Sequence, residues 1–194
     1  MKKIIAMLLA VMLVVSMAAC GSKEEGGNNN AAGTETETPT SALEILENVW
    51  ASYTDDEKFP VFGGNAGDNM VDGAPGAFDV ADTDGMTYTL LVPAEQTTFV
   101  DGAASLVHGM LANNFTCGVF HITGDTQAFA EAMKTAVAGN RWMCGMPEKM
   151  LVATISGEYV VVAFGLNDAI NPFQAKLAAA YPAMQQLCFE DLAQ

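Results

Sequence analysis

The stretch FTCGVFHITGDTQAFAEAMKTAVAG, Phe115–Gly139, decides the fold. Its first eight residues, Phe115 to Ile122, are rich in β-formers and read as a strand. Thr123-Gly124-Asp125 breaks the run, and Asp125 is a good N-cap. A helix is expected from Thr126 to about Ala138. Phe129, Met133, Ala136 and Val137 then form one apolar stripe. Gly139 is its natural stop.

Working outward, Ala104–Leu111 reads as a strand that turns at Ala112-Asn113-Asn114 into Phe115. Lys149–Ile155 and Glu158–Phe164 read as a second hairpin around Ser156-Gly157. Asp168 or Asn171 is the expected cap of a further helix, with Pro172 near its first turn and Phe173, Leu177 and Tyr181 on one face. Pro182 is expected to split off a short terminal helix that carries Cys188. Upstream, Ser41-Ala42-Leu43-Glu44 matches a capping box and opens a helix over about Ala42–Ser52. Phe59–Gly85 is rich in glycine and aspartate and reads as a long irregular loop. Met86–Val92 reads as a strand closed by Pro93. These elements predict an α+β domain over 41–194. It has an antiparallel sheet of two hairpins with helices on one face, in ββα-ββα order, preceded by a helix and a long loop.

The chain before that domain reads as an address. Lys2 and Lys3 precede the apolar run Ile4–Val15, the layout of a secretory signal and too short for an ordinary membrane span. Met17-Ala18-Ala19-Cys20 resembles the lipobox of bacterial lipoproteins. The resemblance implies cleavage after residue 19 and a lipid on Cys20, and two acyl chains anchor stably. Residues 20–40 hold no large apolar side chain and read as a flexible linker, with a span of roughly 25 Å. The expected location is the outer face of the cell membrane, with the lipid as the sole membrane contact.

Composition narrows the function classes. The full chain has a net charge of −15. Cleavage before Cys20 leaves 6 basic against 23 acidic residues, a net charge of −17. Such a chain has no phosphate-neutralising patch, so nucleic acid is not an expected partner. An unidentified surface protein or small ligand is.

Pairing the first hairpin across Asn113-Asn114 places His108 opposite Val119, Met110 opposite Cys117, and Leu106 opposite His121. Alternation then puts His108, Cys117 and His121 on one face. That set admits a cysteine nucleophile with His121 as base. It also admits a zinc site drawn from Cys117, His121, Cys144 and His108. Neither carries a strong signature: Cys-x-x-x-His is not a standard zinc spacing, and no oxyanion-hole motif accompanies the cysteine. Asp82-Thr83-Asp84-Gly85 is reminiscent of a calcium loop, but Val80 and Leu91 would occupy positions that need carboxylates. Gly63–Gly67 lacks the Lys-Ser/Thr of a phosphate loop. Arg141 and Trp142, beside Met143 and Met146, form either a contact patch or a loop tucked over the core. No metal or cofactor is expected.

FTCGVFH (Phe115–His121), RWMCGMPEK (Arg141–Lys149), GEYVVVAFG (Gly157–Gly165) and MVDGAPGAFD (Met70–Asp79) are similar to stretches of a group of bacterial lipoproteins of unknown function. These carry a small C-terminal domain in hairpin, helix, hairpin, helix order. The resemblance implies an exported, anchored α+β domain and brings no activity. Cys117 and Cys144 both lie in these stretches, each beside a glycine, and with that placement a Cys117–Cys144 disulfide is expected in the exported compartment. The function expected from all of this is a non-enzymatic binding or interaction module; the alternative is a surface enzyme using a Cys/His site or a bound metal.

Overall fold

The structure is a computed structural model that describes residues 38–67 and 69–192. Cys20, the expected signal and most of the expected linker lie outside the described residues. No described helix is long and apolar enough to cross a membrane.

Helix α1 (Ala42–Ala51) is followed by three short strands, β1 (Val61–Gly63), β2 (Val71–Asp72) and β3 (Gly76–Phe78). Helix α2 (Thr83–Tyr88) and a 3₁₀ turn over Ala94–Phe99 lead to β4 (Val100–His108) and β5 (Phe115–Ile122). Then come α3 (Thr126–Gly139), β6 (Lys149–Ile155), β7 (Tyr159–Gly165), α4 (Asn167–Ala180) and β8 (Gln185–Asp191). The eight strands form one antiparallel sheet in the order β2-β1-β4-β5-β7-β6-β8, and β3 also pairs with β4. The protein is α+β.

The sheet is larger than two hairpins, and its helices cover both faces rather than one. Ile45, Leu46 and Val49 of α1 and Phe173 and Leu177 of α4 pack on Leu106, Cys117, Val119, Leu151 and Val161. Phe129, Met133 and Val137 of α3, with Met86 of α2, pack on Phe120, Ile122, Val152, Val160 and Val162. The physical reason is legible in β7. Its run YVVVAFG is buried at every position, and strands covered on both faces lose their polar alternation.

Helix starts follow capping chemistry. Ser41 Oγ accepts from the Glu44 N–H at 3.1 Å, while Glu44 reaches back to Thr40 N and Oγ1. Asp125 Oδ1 accepts from Ala128 N at 3.0 Å and starts α3. Helix α4 starts earlier than the expected Asp168 or Asn171, with Leu166 as its N-cap. A distant side chain supplies the cap: Glu148 Oε2 accepts from Asn167 N at 2.8 Å. Pro172 consequently stands inside the helix.

Two element types differ from expectation. The expected strand Met86–Val92 is instead the end of α2 and a turn. Asp82 Oδ1 accepts from Gly85 N at 2.8 Å, an N-cap that turns the β-forming residues behind it into a helix. The expected terminal helix is the edge strand β8. An extra residue, Leu187, faces β6 between the Val152–Cys188 and Ala153–Gln186 pairs. This bulge brings Leu187 and Cys188 to the same face.

The expected irregular loop is largely built structure. Gly63 and Gly76 bring β1 and β3 into backbone contact, so that a Cβ on Gly63 would stand 2.1 Å from Gly76 N. Buried Asn65 ties the segment together. Its Nδ2 donates to Asp82 Oδ2 at 2.8 Å, and its Oδ1 accepts from Asp79 N at 2.5 Å.

Candidate functional site

The β4–β5 register pairs Leu106 with Cys117, Ala104 with Val119, and Gly102 with His121. It differs from the expected pairing by four residues. An even slip preserves faces, so Cys117 and His121 do share the α1/α4 face. It does not preserve neighbours. His108 sits at the far end of β4 from Gly102, the partner of His121. Cys117 and His121 are four residues apart along one strand, about 13 Å.

The Cys117 thiol is fully buried between sheet and helices, and burial pushes its pKa up. It is therefore a protonated core side chain with no imidazole beside it, the reverse of an activated nucleophile. Cys144 lies exposed in the loop between α3 and β6, and Cys188 is buried on the opposite face of the sheet from Cys117. The expected Cys117–Cys144 disulfide is not formed, and all three thiols are free. A bridge would need the two ends of the helical excursion, the β5 end and the α3–β6 loop, to come together. The return strand β6 instead lies two places from β5, with β7 between them.

His108 is a packed histidine. Its ring stacks on Phe59 at 5.6 Å between centroids, and its Nδ1 accepts from Met110 N and Leu111 N. The neutral ring then carries its proton on Nε2 and has no free lone pair for a metal. Among the described residues, no three His, Cys, Asp or Glu side chains converge as a metal site. Trp142 is half-buried against Phe164, with ring centroids 5.1 Å apart, while Arg141 beside it is exposed.

His121 is different, because it opens to solvent and has a charged partner. Its Nδ1 is bonded to Asp101 Oδ1. Asp101 is the extra residue of a bulge in β4, between the Val100–Ile122 and Gly102–His121 pairs. The bulge turns the Asp101 carboxylate onto the face where His121 projects, and bulges commonly re-aim side chains in this way. Across the other edge of β5, His121 pairs with Tyr159, their ring centroids 4.9 Å apart. Burial raises the Tyr159 pKa, so its hydroxyl stays protonated.

These three side chains line an open cleft of about 460 Å³, closed on one side by Thr40–Leu43 at the start of α1 and floored by Gly102 and Ala103. The cleft thus lies at the start of α1. With Asp101 holding Nδ1, the imidazole presents Nε2 to whatever enters. Among the described residues no serine or cysteine nucleophile stands beside it in a Ser-His or Cys-His relation: Ser41 Oγ is committed to its helix cap, and Cys117 is remote in the core. The arrangement can orient, hydrogen-bond and exchange a proton with a bound polar group. Asp101 and Tyr159 were not legible as site residues, because the bulge that aims Asp101 leaves no mark in the alternation pattern.

Comparison of the chain with protein families, with curated proteins and with solved structures finds no match.

Proposed function

We propose that this chain is an exported protein, anchored by a lipid on Cys20 at the outer face of the cell membrane. Its folded part is a binding module for a small polar ligand or a surface protein; the lipoproteins that its sequence resembles bear on the anchor and not on the ligand. The two hairpin-and-helix units, β4-β5-α3 and β6-β7-α4, are its frame. The observation that carries the binding reading is the His121–Asp101 pair, held open to solvent in a cleft with Tyr159 and with no adjacent nucleophile among the described residues. A cysteine-dependent surface enzyme is the weaker reading, because Cys117 is buried and distant from His121.

A thermal-shift screen with small carboxylates, amines and saccharides tests the cleft. Ligands that raise the melting temperature of the native protein should lose that effect in His121→Ala and in Asp101→Asn. Stabilisation by the screen's ligands that persists undiminished in both variants, or no stabilisation by any of them, would count against the cleft as the binding site.

A further inference from the structure

The His121 cleft does not stand alone. A second open cleft, of about 550 Å³, adjoins it, and Leu43 and Ala77 line both. Together they form one trough between α1 and β3. Its walls are largely aliphatic, from Leu43, Ala77, Ala103, Pro75 and Val71. Its carboxylates stand at two stations. Asp101 lines the first cleft, Glu47 and Asp79 line the second, and no lysine or arginine lines either. Glu47 follows Leu43 by one helical turn, so the two stations stand roughly 5–10 Å apart.

One polar group at the first station lacks a partner. Tyr159 lines the cleft and is only 5% exposed, yet its hydroxyl bonds to no other described residue. Buried hydroxyls nearly always find a partner. The carboxylates of Glu158, Glu44 and Asp101 add to burial in raising its pKa, so the hydroxyl stands in a negative field. An anion is disfavoured there. The N-terminus of α1 would ordinarily attract one, but the Glu44 carboxylate already accepts from Thr40 N and Oγ1. A neutral His121 ring that donates through Nδ1 to Asp101 presents the Nε2 lone pair as an acceptor. Nε2, the Tyr159 oxygen and the Asp101 carboxylate are then acceptors in one cleft, a match for the three N–H donors of a primary ammonium group.

We propose that this trough binds a linear aliphatic diamine, with one ammonium group at Asp101, His121 and Tyr159, the other at Glu47 and Asp79, and the methylene chain between them on Leu43 and Ala77. The assignment rests on the His121 cleft being a binding site and names the class of its ligand. The methylenes cover aliphatic wall, and each ammonium group makes charge-assisted hydrogen bonds to a carboxylate.

Titration calorimetry of the full native chain in non-ionic detergent, with the unbranched five-carbon diamine and the five-carbon monoamine, tests the proposal. The diamine should bind at one equivalent and more tightly than the monoamine. Asp101→Asn should weaken it by about tenfold, as expected for loss of a hydrogen bond to a charged group. Glu47→Gln combined with Asp79→Asn should weaken it by about two- to fivefold, as expected for exposed charges, and leave the monoamine unaffected. Glu131→Gln, on α3 at the other face of the sheet, should change neither. These changes are isosteric and lie at exposed side chains, so the unliganded variants should melt like the parent. A diamine that does not bind, that binds no better than the monoamine, or that weakens as much in Glu131→Gln as in Asp101→Asn would overturn the assignment. A carboxylate or saccharide that binds and is lost in His121→Ala, where the diamine fails, would refute the diamine and leave the cleft a binding site.

Discussion

A histidine gains a role from what faces it, and the two histidines here divide on that ground. His108 spends its Nδ1 on two backbone N–H groups and its ring face on Phe59, while His121 is held by a carboxylate and left open. The sequence pattern placed both on the correct face but could not separate them, because Asp101 reaches His121 only through a bulge. Asn65 shows the same limit: nothing in a glycine-rich stretch marks it as the side chain that ties three segments together. Asn65→Ala should destabilise the protein by about 2–3 kcal/mol in chemical denaturation, because it leaves Asp79 N and Asp82 without their buried partner. Glu57 gives a pH prediction. Thr54 N–H, the Lys176 ammonium and the Thr54 hydroxyl lower its pKa from 4.5 to about 2. A depressed carboxyl stabilises the fold above its unfolded pKa, and that contribution fades as pH falls from about 4.5 towards 2. Glu57→Gln should therefore flatten part of the fall in melting temperature over that acid range. An unchanged acid profile would show that the pair with Lys176 contributes nothing measurable.

Elements were legible where local chemistry and tertiary packing agreed. Helix α3 carries its own cap, stripe and stop, and β6 and β7 carry a short turn between apolar runs, so the expected bounds lie within a residue or two of those observed. Misreadings arose where a distant or unnoticed partner decided the outcome. Asp82 caps a helix that takes in Met86–Tyr88, the first part of the expected strand, and the open edge of β6 recruits the residues after Pro182 as β8. The glycine-rich segment was read as irregular because β1, β2 and β3 are too short to show alternation. Gly63, Gly64 and Gly76 are sites of close backbone approach. Gly63→Ala should cost about 3 kcal/mol or more, since the three atoms nearest the new methyl, Gly76 N, Pro75 C and Ala74 O, belong to backbone that cannot swing aside. Limited proteolysis should accordingly spare Val61–Phe78 and cut first in the exposed 140–146 loop. Early cleavage between Gly63 and Gly76 would contradict the packing described.

At the scale of the whole molecule, one sheet separates two cores, and the three thiols of the described domain report on it from three positions. Cys117 is under α1 and α4, Cys188 is on the α3 side, and Cys144 is outside. The proposed anchor has its own test: Cys20→Ala should abolish lipid labelling and move the protein out of the detergent phase, and unchanged partitioning would refute it. The choice between a binding module and a cysteine enzyme turns on Cys117. Iodoacetamide labelling of the native protein, mapped by mass spectrometry over time, measures this directly. Cys144 should alkylate within minutes, whereas Cys117 and Cys188 should remain unmodified until denaturant unfolds the sheet, because burial raises the pKa of both. Fast, selective alkylation of Cys117 in the folded protein would contradict the account and return Cys117 to the role of nucleophile.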